Sequence, residues 1–240
     1  MSLILLPNSL GHTCLSELPG ELVAVTDSLD GLIAESFSGG MSFLKLCRIA
    51  RAGKFPIAVL DKKIKRPSEY DFFLDPITAG ENWGFVSDAG LPCIADPGSG
   101  LVARAYERKI IVKSLSGPCS LTTALMLSGL YCQRFSFMGY FPKDSKSREK
   151  LIKQCQSGSP KGGCLMETFV FIETPYRNEH TFLSLVNTLH ENTILSVACD
   201  LSSPDQFVST ASVSVWKLRN LQDIVNRLKK HPTVFIFKIK

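Results

Sequence analysis

Histidine is scarce in this chain, long apolar runs are missing, and the cysteines never fall into a paired motif. The four histidines (His12, His180, His190 and His231) stand isolated in the sequence. There is therefore no serine-histidine-aspartate order for a nucleophilic hydrolase and no histidine cluster at metal-ligand spacing. The eight cysteines, Cys14, Cys47, Cys93, Cys119, Cys132, Cys155, Cys164 and Cys199, are scattered without a C-x-x-C pair. That excludes a zinc site and a disulfide scaffold, so no metal is expected, and it fits a reduced compartment. The phosphate-cradling pattern G-x-x-x-x-G-K-[ST] is also missing, which argues against a nucleotide triphosphatase. The longest apolar stretch, Leu121 to Leu130, is interrupted by Thr122, Thr123, Ser128 and Gly129 and is too short to cross a bilayer. Met1 to Pro7 lacks a basic leader and reads as a first strand, not a signal peptide. The expectation is a soluble, cytoplasmic protein with no membrane partner.

What is present is an alternation of short apolar runs and amphipathic stretches over 240 residues that are 45% hydrophobic, enough for one large domain or two modest ones. Strands are expected at Ser2–Leu6, Leu22–Val25, Leu32–Ala34, Phe55–Leu60, Trp83–Ser87 and Ile110–Lys113. Helices are expected at Met41–Ala52, from Tyr70, and at Ser99–Glu107, the last capped by Asp96 or Ser99. The second half continues with strands near Phe135, Thr168, Thr193 and His231, a strand pair or bent strand over Phe207–Val215, and helices at Leu121–Leu127, Glu179–Leu189 and Leu221–Lys230. Such alternation implies α/β layers, and the close strand spacing after residue 190 implies a mixed, partly antiparallel second sheet. Ser114-Leu-Ser-Gly-Pro118 is the turn-rich link, dividing an N-terminal αβα domain, 1–115, from a C-terminal one, 116–240. Gln156 to Gly163 reads as a surface loop. The net charge of +5 is weakly basic, but positive residues cluster at Lys62–Arg66, Lys143–Lys153 and Arg227–Lys230. Each is a solvated face on its own, and the three together permit an acidic partner such as RNA.

Two loops carry the chemistry. Ser87-Asp-Ala-Gly90 lies at the carboxyl end of an expected parallel strand, where open α/β sheets bind ligands. Ser116-Gly-Pro-Cys-Ser120 delivers Ser120 and unpaired amides to a helix start, which suits a polar or anionic group. Together the two loops, D-A-G-x-P-x-x-x-D-P-G followed by L-x-G-P-x-S, resemble the tetrapyrrole methylase superfamily of S-adenosylmethionine (SAM) methyltransferases. Leu5-Leu-Pro-Asn-Ser-Leu-Gly11 is similar to that family's amino-terminal loop, Gly139-Tyr-Phe-Pro142 to its G-[FY]-x-P turn, and Phe171-Ile-Glu-Thr-Pro-Tyr-Arg177 to its [FY]-x-E-[ST]-P-x-R segment. Within the superfamily these segments resemble the branch that 2'-O-methylates a cytidine ribose in small-subunit ribosomal RNA, the ribosomal RNA small subunit methyltransferase I branch.

The resemblance implies two αβα domains with the cofactor cleft between them and a SAM site drawn from Pro7, Leu10, Gly11, Asp88, Ala89, Gly90, Leu91, Ile94, Cys119, Ser120, Gly139, Tyr140 and Ala198. It also implies a homodimer acting on ribosomal RNA or the small ribosomal subunit. For the chemistry, Asp88, Glu173 and Lys143 are the candidate base or polarising groups, with a Glu173–Arg177 ion pair as the structural alternative for Glu173. The chain departs from the RNA branch after Ala34. It keeps Glu35 but has Ser36, Ser38 and Gly39 where Asp, Arg and Thr are expected, and it carries Asp200 in place of a Glu. A porphyrinoid or other small-molecule methylase would share the fold but need a wide apolar trough. A non-catalytic SAM-binding protein would tolerate the altered cluster, and methyl transfer to RNA separates all three.

Overall fold

The computed structural model describes residues 1–11, 14–60, 64, 66–157 and 168–239. Lys62, Lys63 and Lys65 of the first basic cluster, residues 158–163 of the expected loop, His12 and Cys164 lie outside the described residues. The chain forms two compact units, Met1–Cys119 and Ser120–Lys240.

The first unit runs β1 (Ser2–Leu6), α1 (Leu22–Asp27), β2 (Gly31–Ala34), α2 (Phe37–Leu46), β3 (Ile57–Val59), α3 (Asp71–Thr78), β4 (Asn82–Val86), α4 (Ser99–Glu107) and β5 (Val112–Ser114). All pairings are parallel, in the order β3-β2-β4-β1-β5. The strands read as nearly unbroken apolar runs because both faces are covered. Leu32 and Ala34 turn to one side and pack with Leu22, Phe43 and Leu44 of α1 and α2. Ile33 turns to the other and packs with Phe73, Leu74, Leu101 and Ala105 of α3 and α4. Arg104 grips Asp71 through two hydrogen bonds of 2.8 and 2.9 Å, tying α4 to α3 and holding the Asp71 carboxyl below the usual carboxylate range.

Two expectations are corrected here. Leu22–Val25 is the start of helix α1, not a strand: its residues Leu22 and Thr26, four apart, are the buried ones, and a run of four apolar residues carries too little periodicity to separate the two states. The residue at the α4 N-cap position is Gly98, in place of Asp96 or Ser99.

The second unit runs α5 (Ser120–Ser128), β6 (Phe135–Tyr140), α6 (Ser145–Ser157), β7 (Thr168–Glu173), α7 (Asn178–Thr188), β8 (Ile194–Cys199), β9 (Phe207–Ser212), α8 (Val213–Leu218), α9 (Leu221–Leu228) and β10 (Thr233–Lys238). Its sheet is mixed, in the order β6-β7-β10-β8-β9, with β6 and β7 parallel and the remaining pairs antiparallel. The core is aromatic. Phe141 stacks on Phe171 at 3.8 Å between ring centres, and Trp216, fully buried, donates its indole N–H to the Leu195 carbonyl at 2.9 Å. Helix α6 occupies part of the second basic cluster. Its residue Arg148 is buried and donates to the carbonyls of Pro142 and Lys143 and to Ser184 Oγ, so one of the charges expected on a solvated face instead pins the turn after β6.

Candidate functional site

In the first unit, β1 and β4 lie side by side, yet the chain leaves β1 toward β2 and leaves β4 toward β5, on the other side of the sheet. The helices that follow pack on opposite faces, which opens a crevice outside the carboxyl ends of the two strands. The loops there are laced together. Asn8 Nδ2 donates to the carbonyls of Ser87 (3.0 Å) and Asp88 (3.1 Å), the Asn8 amide donates to Gly90 O (2.8 Å), and the Gly90 amide donates to Ser9 O (3.2 Å). Gly90 sits at φ +66° with Leu10 Cδ2 only 3.2 Å from where a Cβ would be, so the turn requires glycine. Asn8 thus binds the Pro7–Gly11 loop to the Asp88-Ala-Gly loop across roughly eighty residues of sequence, a role that nothing in its local pattern reveals.

Asp88 projects from this joint, exposed, toward the start of α2. Its Oδ1 accepts from Ser36 Oγ at 2.9 Å, and its amide donates to Glu35 Oε2 at 3.2 Å. Ser36 is also the N-cap of α2, its Oγ accepting from the Gly39 amide at 2.9 Å. Between these groups is a pocket of about 280 Å³ lined by Asn8, Ser9, Ser36, Ser38, Ser42 and Asp88, with Phe43 and Leu46 as its apolar wall. That is near the small end of ligand pockets, which run from roughly 300 Å³ upward. Ser9 is buried, and its amide donates to Asn8 Oδ1 at 2.9 Å. Cys93, on the same loop, is no nucleophile: burial, aided by the Asp96 charge, pushes its thiol up to about 11.

The other expected cofactor contacts of this unit differ in exposure. Pro7 is buried, Leu10, Leu91 and Cys119 are half-buried, and Gly11, Ala89 and Ile94 are exposed. In the second unit, Ser120 opens α5, Gly139 sits at φ +72° where the β6–β7 register breaks, and Tyr140 is exposed. Ala198 is fully buried within β8. Lys143 is exposed beside the turn that Arg148 pins.

Glu173 ends β7 with its side chain fully buried, and its carboxylate is saturated. Oε1 pairs with Arg177 and accepts from the Thr174 amide at 2.7 Å, while Oε2 accepts from Thr181 Oγ1 at 2.8 Å. Arg177 in turn donates to the Phe141 carbonyl at 3.1 Å. The Glu173–Arg177 pair therefore joins the end of β7, the first turns of α7 and the segment after β6. Among the described residues no group of three or more histidines, cysteines or carboxylates is placed to hold a metal ion, and no helix is long and apolar enough to cross a membrane.

The chain matches solved structures in fold over nearly its whole length. The crystal structure of the methyltransferase CobJ aligns with a TM-score of 0.63 over 98% of this chain and 93% of its own, at 13% identity. That of diphthine synthase aligns with a TM-score of 0.60 over 97% and 89%, at 12% identity. The chain has the tetrapyrrole methylase fold. In sequence it is similar to the ribosomal RNA small subunit methyltransferase I of Buchnera aphidicola (subsp. Schizaphis graminum), 29% identical over 72% of this chain and 58% of that protein. The protein of the same name from a Hydrogenobaculum species is 32% identical over 66% of this chain and 61% of its own length. No family model matches. The chain therefore has the fold of these solved proteins and is similar in sequence to proteins named ribosomal RNA small subunit methyltransferase I. It matches less than two thirds of the length of these curated relatives.

Proposed function

We propose that this protein is a SAM-dependent methyltransferase that 2'-O-methylates a cytidine ribose in small-subunit ribosomal RNA, working as a homodimer in the cytoplasm. The observation that carries the reading is the joint made by Asn8. In a homologue of ribosomal RNA methyltransferases, it fixes the Pro7–Gly11 and Asp88-Ala-Gly loops together at the crevice of a parallel sheet. The chain's residues fit the cofactor: bare backbone at Gly90 and Gly11, the small side chain of Ala89 and the polar lining from Asn8, Ser9 and Asp88 leave room for a folded ligand with polar ends. The proposed cofactor set takes Pro7, Leu10, Gly11, Asp88, Ala89, Gly90, Leu91, Ile94 and Cys119 from the first unit and Ser120, Gly139, Tyr140 and Ala198 from the second.

When bound, SAM supplies a methyl group already activated on a sulfonium sulfur, which keeps the bonding pair as a thioether once the methyl joins the acceptor oxygen. Positioning is then the protein's main contribution. Asp88, exposed and, among the described residues, hydrogen-bonded through one carboxylate oxygen, accepts the proton that the ribose hydroxyl gives up. Lys143 is exposed and available to a phosphate of the RNA backbone.

Calorimetry tests the cofactor half of the reading. The wild-type protein is expected to bind SAM, and Gly90→Val to lose at least about a hundredfold in affinity. Valine adds bulk against Leu10 and forces a branched residue to positive φ, at a cost on the order of 1–2 kcal/mol to the fold. A folded Gly90→Val protein with wild-type affinity removes this loop from the site. Sedimentation of the same samples at micromolar concentration reads the dimer.

A further inference from the structure

We infer that Ser36 and Gly39 are positioning residues for Asp88, and that they replace the charged cluster of the RNA-modifying branch with an uncharged latch. The inference rests on the reading of Asp88 as the proton acceptor. Three observations converge on it. Ser36 Oγ donates to Asp88 Oδ1 at 2.9 Å while accepting from the Gly39 amide at 2.9 Å, so the cap of α2 and the grip on Asp88 are one hydroxyl. A Cβ at position 39 would lie 1.9 Å from that same Asp88 oxygen. The carboxylate therefore occupies the space that a larger residue would fill. Finally, Asp88 borders a pocket that Asn8, Ser9, Ser36, Ser38 and Ser42 line with polar groups, which gives the held carboxylate a polar space to face.

The chemistry of the latch is specific. The first turn of a helix of ten residues attracts a carboxylate through its unpaired amides. Asp88 Oδ1 is fixed there by Ser36, and Asp88 Oδ2 has no hydrogen-bond partner among the described residues. The latch thus uses one oxygen and leaves the other for the acceptor. Arg and Thr at 38 and 39 would undo it, the first by offering Asp88 a competing charge and the second by taking its space. Ser36, Ser38, Gly39 and Asp88 accordingly form one co-adapted set.

Gly39→Ala separates positioning from folding, because its two effects have opposite signs. Alanine is the better helix former, so the fold is expected to keep or raise its melting temperature. The added methyl nevertheless expels the Asp88 carboxylate, and a displacement on the order of 1 Å costs roughly a hundredfold in kcat. The same loss is expected for Ser36→Ala, with Ser36→Thr, which keeps the hydroxyl, restoring most of the rate. Because Asp88 also belongs to the proposed cofactor set, the fall in kcat should exceed any fall in SAM affinity measured by calorimetry. Wild-type kcat in a folded Gly39→Ala protein, or a loss that appears in SAM affinity instead of kcat, overturns the inference. If the wild-type protein transfers methyl to no acceptor, the proposed function fails separately. The latch is then read by the melting temperatures of Ser36→Ala, Asp88→Ala and the double variant. Non-additive shifts support it, and strictly additive shifts overturn it.

Discussion

Glu173→Ala is expected to lower the stability of the second unit by about 3–5 kcal/mol, the usual cost of stranding one partner of a buried ion pair. The loss is large because three groups lose their acceptor at once. Arg177 is left in a mostly buried position without its counter-charge, and the Thr174 amide and Thr181 hydroxyl lose their shared carboxylate. Arg177 would also be released from the segment at Phe141, loosening the end of β6 beside Gly139 and Tyr140. Glu173→Gln should cost less, since its amide oxygen still accepts from Thr174 or Thr181. Denaturant unfolding compares the three proteins, with the midpoint of the wild type as reference. The saturation of this carboxylate favours a structural part for Glu173 over a catalytic one. A Glu173→Ala protein that unfolds at the wild-type midpoint but has lost methyl transfer would reverse that assignment.

For Asp88→Ala the expected pattern is the opposite: a folded protein with a melting temperature close to that of the wild type, and kcat lower by about 10²–10⁴, the range that a positioned proton acceptor contributes, a loss that exceeds any loss of SAM affinity. Stability should hardly change, because Asp88 is exposed and the two loops remain joined through backbone groups that Asn8 reaches at Ser87 and at residue 88 itself. Asp88→Asn refines the result. Its amide oxygen can still accept from Ser36, so the side chain stays placed while its capacity to take a proton is lost. If Asp88→Asn and Asp88→Ala are equally slow, proton acceptance matters more than shape. An unchanged rate in both would remove Asp88 from the chemistry.

Much of the scaffold is visible in the residues, and the reasons are local. Ser2–Leu6 and Leu32–Ala34 are apolar because parallel strands are covered on both faces, and Ser99–Glu107 shows its helix by where its apolar residues recur. Leu22–Val25 misleads because four apolar residues fit either state, and only packing against Leu6 and Leu32 selects the helix. Helix α6 hides inside a basic run whose buried positions, Arg148, Ile152 and Cys155, include a charge that only the tertiary structure satisfies. The Asp88 loop is marked by its own motif, yet the groups that orient it are not: Ser36 lies fifty-two residues away, and Asn8 eighty. Serine and glycine at 36 and 39 read in the sequence as missing charges. In three dimensions they are the donor and the clearance that hold a carboxylate in place.

The central claim is that this chain moves a methyl group from SAM to a ribose of small-subunit ribosomal RNA. It is tested most directly by incubating the protein with labelled SAM and small ribosomal subunits from cells that lack it, then mapping the labelled nucleotide. The account predicts a single cytidine carrying the label on its 2' oxygen, with the label lost in Asp88→Ala. Label on a porphyrinoid but never on RNA, or tight SAM binding with transfer to neither, would contradict it.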